Sequence, residues 1–332
     1  MVHVWHSRRS RGSATQCFTA SRIRFLNTAR FLVLLALFGA IARADQTLRI
    51  GYQKTGAFLL VKEEGGLEKR LAPLGWNVAW TEFVAGVPLL EALGAGQLDL
   101  GHSGDAPVIF AQVSGAPIVY LAASGASPQG VGLLVPNASA VRNVADLKGK
   151  RIIVGKGSSA HFFLVRALAE AGLAPSDITP IYLNPADARA AYERGEGDAW
   201  AIWDPYLAAA ELAGQGRIIR SGENLTSFRE FYLADGKFAR EHPDVIAAVL
   251  SELNAVGKNA KADPRKVAQF LALQLKIAEP ILEKSEFRKF RYGALAMSPQ
   301  IVAEQQAIAD AFFQLHLVPT HVRVADLVWQ KP

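Results

Sequence analysis

The chain all but lacks cysteine. Its one thiol, Cys17, stands among the first 44 of 332 residues and ahead of an apolar run, the wrong side for lipid attachment. Without those 44 residues no thiol remains, which excludes disulfides, thiolate metal sites and a cysteine nucleophile. The same stretch lacks lysine and acid but carries seven arginines, at positions 8, 9, 11, 22, 24, 30 and 43. Removing their seven charges from the formal +6 leaves −1 for the rest of the chain. A basic face for nucleic acid or an acidic membrane is therefore not expected. Long apolar runs are missing too. The eleven residues Phe31 to Ile41 fall short of the ~20 that cross a bilayer.

Catalytic motifs are equally scarce. There is no Gly-x-Ser-x-Gly elbow, no Walker loop or dinucleotide fingerprint, and no His or Cys cluster with metal-ligand spacing. Serine, histidine and aspartate are all present, so composition does not exclude a triad, but no local pattern announces one. No catalytic residue, metal or cofactor is expected. The leader reads as an export signal: a basic region ending at Arg30, the apolar run, and Ala42-Arg43-Ala44 as a small-x-small cleavage site before Asp45. A periplasmic protein is the expectation. Arg8-Arg9 lies too far from the apolar run to serve as a twin-arginine signal.

What is present is a globular composition, with half the residues apolar and a fifth charged. A chain of this length points to two domains. From Thr47 onward, short apolar strands alternate with helical segments: Leu48 to Gly51, a helix from about Thr55 to Leu71, Val78 to Phe83, Pro88 to Leu93, Leu98 to His102, Asp105 to Ser114, and Pro117 to Ala122. The rhythm restarts at Arg151-Ile152-Ile153-Val154 and runs to the strand Asp198 to Ile202 and the helix Tyr206 to Ala213. This is the pattern of α/β layers on mainly parallel sheets. After Phe231-Tyr232-Leu233 it becomes almost wholly helical. Gly51 and Gly155 close similar strands 104 residues apart, and Asp99 and Asp198 follow similar Gly-rich turns 99 residues apart. Two similar α/β units facing one another is the economical reading. The expected organisation is a signal peptide over 1–44, one lobe from 45–128 with 230–332, and a second from 129–229. Gly- and Ser-rich crossings near Ser124 to Gly132 and Ser221 to Ser227 would link them.

Three strands run straight into polar turns at helix starts: His102-Ser103-Gly104-Asp105, Gly155-Lys156-Gly157-Ser158-Ser159-Ala160-His161, and Trp203-Asp204-Pro205-Tyr206. The free amides of a first helical turn and the positive end of the helix dipole favour an anion there. In open α/β sheets such turns line the ligand crevice.

The residues also resemble a known family, the aliphatic-sulfonate-binding proteins of bacterial ABC importers, within the wider group that binds taurine and nitrate. The likeness lies in Leu48-Arg49-Ile50-Gly51-Tyr52-Gln53-Lys54, Ala92-Leu93 with Leu98-Asp99-Leu100-Gly101, Gly104-Asp105, and Pro107 with Ile109-Phe110-Ala111-Gln112. It continues through Val144-Ala145-Asp146-Leu147-Lys148-Gly149, Lys156-Gly157-Ser158-Ser159 with His161, and Pro185-Ala186-Asp187-Ala188-Arg189-Ala190-Ala191. Asp198 to Tyr206, Leu317-Val318-Pro319 and Trp329-Gln330 complete it. The resemblance implies the type II periplasmic-binding-protein fold, two α/β lobes with a hinge and a helical C-terminal region. It further implies a receptor that closes on its ligand and docks transiently on an inner-membrane ABC permease. A monomer that takes a small organic sulfonate is the expectation; the alternatives are a receptor of the same fold for taurine, nitrate or another small anion, and an enzyme or sensory module on this scaffold.

A sulfonate is a permanent monoanion with three acceptor oxygens, so neutral donors at helix starts can hold it. Ser158 and Ser159 are the first choice for the head group, although either serine can instead cap its own helix. Gln53 can donate its amide hydrogens, and Lys54 and Lys156 can supply attraction from further away. Ser103 stands where family members commonly carry Ser-Thr with the preceding residue, and keeps a donor, while His102 reads as a packed strand-end residue. Asp105 and Asp204 precede Ala-Pro or Pro and suit helix capping. Asp204 could otherwise meet a ligand amine, as in taurine-binding relatives, or reject anions carrying a second charge. Phe83, Trp203 and Tyr206 offer flat walls for a tail, Trp200 reads as core, and His161 can add a neutral hydrogen bond.

Overall fold

The computed structural model describes residues 46–54, 56–288 and 292–331. The expected leader and Cys17 lie outside the described residues. From β1 (Gln46–Gln53) the chain passes through α1 (Ala57–Glu64) and α2 (Gly66–Leu71) to β2 (Trp76–Phe83), α3 (Gly86–Gly94), β3 (Leu100–Gly104), α4 (Asp105–Val113) and β4 (Ile118–Ala123). It crosses to β5 (Val131–Val135), β6 (Arg151–Val154), α5 (Ser159–Glu170), β7 (Thr179–Tyr182), α6 (Pro185–Glu193), β8 (Ala199–Trp203), α7 (Tyr206–Leu212) and β9 (Arg217–Ser221). It returns through β10 (Glu230–Asp235) into α8 (Gly236–Glu241), α9 (Pro243–Ala262), α10 (Pro264–Leu275), α11 (Glu279–Arg288) and α12 (Pro299–Gln314).

Two sheets result, ordered β2-β1-β3-β10-β4 and β7-β6-β8-β5-β9. They are mixed, where mainly parallel sheets were expected. β10 pairs antiparallel with both β3 and β4, and β5 pairs antiparallel with both β8 and β9. The reason is topological: β5 and β10 are the strands by which the chain enters each sheet from the other, so they run against their neighbours. Val131–Val135 is fully buried, and this short apolar run between Gly- and Pro-rich turns reads in sequence as linker. The single helix expected over 55–71 is broken at Gly65, which adopts a left-handed φ of 62°. At the next residue a Cβ would lie 1.9 Å from the Glu252 carboxylate, so the break lets the backbone pass close to α9.

Each sheet has its own core. Leu48, Ile50 and Leu100 pack with Phe58 of α1, Tyr232 of β10 and Val249 of α9. Leu133, Ile152 and Val154 pack with Phe163 and Leu164 of α5. Burying each such side chain contributes roughly 1.5–3 kcal/mol. Further clusters cover the other face of each sheet, and the one on the first sheet takes in Phe162 of α5. Phe312 of α12 joins the lobes there, 5.2 Å from the Phe110 ring of α4 and 5.6 Å from the Phe162 ring of α5.

Candidate functional site

The carboxyl ends of β1, β3 and β8 and the starts of α3 and α5 converge on a cavity of about 80 Å³. Gln53, Gly86, Ser103 and Gly104 face it from one lobe, and Ser158, Ser159 and Trp203 from the other. Phe228, Arg229 and Glu230, from the crossing into β10, close its base.

The donors are arranged around Ser103. This residue is fully buried, and its hydroxyl has no hydrogen-bond partner among the described residues. Gly86 opens α3, whose start has no side-chain cap. A Cβ on Gly86 would come within 2.0 Å of Ser103 Oγ, so only glycine permits this approach. Free first-turn amides and a buried hydroxyl thus lie side by side, a neutral cradle for a negative charge. Across the cleft, Ser158 is engaged as the N-cap of α5. Its Oγ accepts from His161 N at 3.2 Å and donates to Gly155 O at 2.7 Å. Ser159 opens the helix, buried, and its hydroxyl makes no hydrogen bond among the described residues. The lobes touch here: a Cβ on Gly104 would lie 2.4 Å from Ser159 Oγ.

Gln53 is held by His102. Its backbone N–H donates to His102 Nε2 at 3.3 Å, and its side-chain amide donates to His102 O at 3.2 Å. The Nε2 therefore accepts, which places the ring proton on Nδ1, 3.5 Å from Glu230 Oε2. The arrangement leaves one Gln53 amide hydrogen for a ligand. Arg229 brings positive charge to the base of the cavity. Its side chain is only 11% exposed, and it donates from Nε to Glu304 at 2.8 Å and from a terminal nitrogen to Ser124 O at 2.8 Å. Burial pulls the Glu304 carboxyl upward, but hydrogen bonds from Arg229 and Ser227 outweigh it and hold the group below its ordinary value.

Gln53, Ser103, Gly104, Ser158, Ser159 and Trp203 thus come together, and six other expected site residues do not. Phe83 turns into the first lobe's core. Asp105 uses its carboxylate on Ala106 N (2.8 Å) and the Thr226 hydroxyl (3.4 Å), facing a separate cavity of about 310 Å³. Lys156 is exposed, 5.7 Å over the Tyr182 ring. His161 accepts from Gly157 N through Nδ1, and burial, aided by Lys156, lowers its pKa. Asp204 is buried behind Trp203, accepting from Ala208 N at 3.0 Å and pairing with Arg288 at 3.4 Å. Tyr206 packs edge-on against the buried Trp200, 6.4 Å between rings. Helix starts supply local acceptor and packing needs, and these absorb the side chains that point away from the cleft.

Sequence reading missed Gly86, Phe228, Arg229 and Glu230. Gly86 had a usable signal, a glycine just before the Val-Pro of a helix start. The other three had none, because they reach the cavity only through the crossing between sheets. Phe228 takes a φ of 47° there, uncommon for a bulky residue and the kind of backbone that clusters at binding sites.

The family model described as NMT1/THI5 like matches residues 78–267. A relative from Escherichia coli (strain K12), named for aliphatic sulfonates binding, is 38% identical over 301 residues, 90% of this chain and 94% of its own. The chain belongs to the NMT1/THI5-like family. Among solved structures, the alkanesulfonate-binding protein SsuA from Xanthomonas axonopodis pv. citri, bound to MOPS, is 40% identical to this chain with a TM-score of 0.81, covering 86% of this chain and 99% of that one. The taurine-binding periplasmic protein of Escherichia coli (strain K12) is 30% identical over 52% of this chain and 54% of its own. The two mixed α/β lobes and helical C-terminal region are the type II periplasmic-binding-protein fold of this family.

Proposed function

We propose that this protein is the periplasmic solute receptor of an ABC importer for organic sulfonates, a monomer that binds and delivers rather than an enzyme that turns over. One observation carries the reading: the buried, partnerless Ser103 hydroxyl beside the capless start of α3. A buried hydroxyl without a partner costs about 1–3 kcal/mol, and a sulfonate oxygen removes that cost. The head group would rest on Ser103, the Gly86 turn and Gln53 from one lobe and on Ser159 from the other, with Arg229 balancing its charge. Trp203 and Phe228 would cover the carbon next to sulfur. Ligand bridging of Ser103 and Ser159 favours the closed arrangement of the lobes (45–128 with 230–332, and 129–229), and the closed form is what docks on the permease. The 1–44 segment would act as the export signal.

Thermal unfolding of residues 45–332 against alkanesulfonates, taurine, nitrate, sulfate and phosphate tests this. A ligand at 100 times its dissociation constant adds about 2.7 kcal/mol. Stabilisation by alkanesulfonates is the expected result. Stabilisation by taurine or nitrate alone keeps the receptor and changes its ligand, and no response to any anion refutes the reading.

A further inference from the structure

The head-group cavity, at about 80 Å³, holds little beyond a sulfonate and its first carbon, so a longer ligand must leave it. The lining points to one exit. A groove of about 450 Å³ runs between α3 and α4 on the first lobe, and Val87 and Pro107 line both it and the head-group cavity. Beyond those two residues the groove is walled by Leu90, Phe110 and Ala111, and it reaches past Ser114 to Ala116 and Pro117. Leu90 and Ala111 are buried and Val87 is 37% exposed, an apolar floor open on one side. The groove follows α3, whose nine residues span about 13 Å.

We propose that this groove receives the apolar tail of long-chain sulfonates, so that the receptor takes alkane- and arylsulfonates whose head sits at Ser103 and whose tail passes Val87 and Pro107 to lie between α3 and α4. The inference rests on the sulfonate reading of the head-group cavity and adds the substrate class. Two features commit the occupant to a ligand tail. The groove and the head-group cavity share Val87 and Pro107 in their linings, and the groove's walls are apolar where they adjoin that cavity. Glu91 stands exposed on its rim, which favours tails without an anionic end.

The test is calorimetric titration of the mature protein with n-alkanesulfonates from methane- to decanesulfonate, repeated on Ser114→Trp and Glu91→Trp, both at exposed positions. Burial of each further methylene raises affinity about fourfold. Wild-type affinity is expected to climb with chain length until the groove is full. The two variants narrow the groove, so the ratio of decane- to methanesulfonate affinity should fall at least tenfold. A flat series in the wild type, with methanesulfonate still bound, overturns the groove and leaves the receptor reading standing. A climb that neither variant shortens also overturns it, since the tail then lies elsewhere. Failure of every sulfonate to bind overturns the receptor reading and the groove together.

Discussion

Replacing Ser103 by alanine should make the protein worse at binding and harder to unfold. Ser103 is wholly buried, its hydroxyl has no partner among the described residues, and Gly86 is pressed so close that even a methyl group there would sit 2.0 Å from the oxygen. A hydrogen bond to a charged group contributes roughly 1.5–3 kcal/mol, so Ser103→Ala should weaken sulfonate affinity by about 10- to 150-fold. In the free protein the same hydroxyl is a cost of about 1–3 kcal/mol. Its removal should raise the melting temperature by roughly 2–6 °C for a chain of this size. Isothermal titration with ethanesulfonate and thermal melts without ligand read the two effects separately. Unchanged affinity with a lower melting temperature would mean that the hydroxyl is structural, and the assignment of the head-group site would fail with it.

Three other outcomes follow from the same geometry. Gly104→Val places side-chain carbons against Ser159 Oγ, already 2.4 Å from a Cβ there, on an extended backbone that valine tolerates. Small-angle scattering should show the lobes held apart, with no ligand-induced compaction; a normal decrease in radius of gyration would contradict closure at this contact. Arg229→Met should cost about 1–3 kcal/mol of stability, below the 3–5 of a fully buried pair, because Glu304 keeps 26% of its side-chain surface. The double variant Arg229→Met/Glu304→Gln should recover the stability but not the sulfonate affinity, and recovery of both would reduce Arg229 to a structural role. His161 has a lowered folded pKa, so as pH falls below about 6.5 the unfolded chain takes up a proton first and stability drops. A melting profile from pH 7.5 to 5 should therefore be flatter in His161→Gln than in the wild type; parallel profiles would contradict the neutral, buried ring.

Residues whose role is local could be found in the sequence. The strand ends and helix starts at Gln53, Ser103, Gly104 and Ser159 are announced by short patterns, because strand period and cap chemistry are properties of neighbouring residues. The mixed sheets were hidden, since the direction of β5 and β10 depends on which sheet they enter and not on their own composition. The six expected site residues that turn elsewhere have a common cause. A helix start offers its side chains several partners at once, and packing decides among them: Asp204 goes to Arg288 and the amide of Ala208, Asp105 to its neighbour's amide and Thr226, and His161 to the amide of Gly157.

By itself the sequence determined the two α/β units, the absence of any cysteine after Cys17 and the family. Only the tertiary structure decided that Gly86 lies against Ser103, that Arg229 and Phe228 form the base of the cavity, and that Val87 and Pro107 join it to a groove. Those contacts link residues from different elements, and their geometry is set when the sheets pack and bring strand ends and helix starts together.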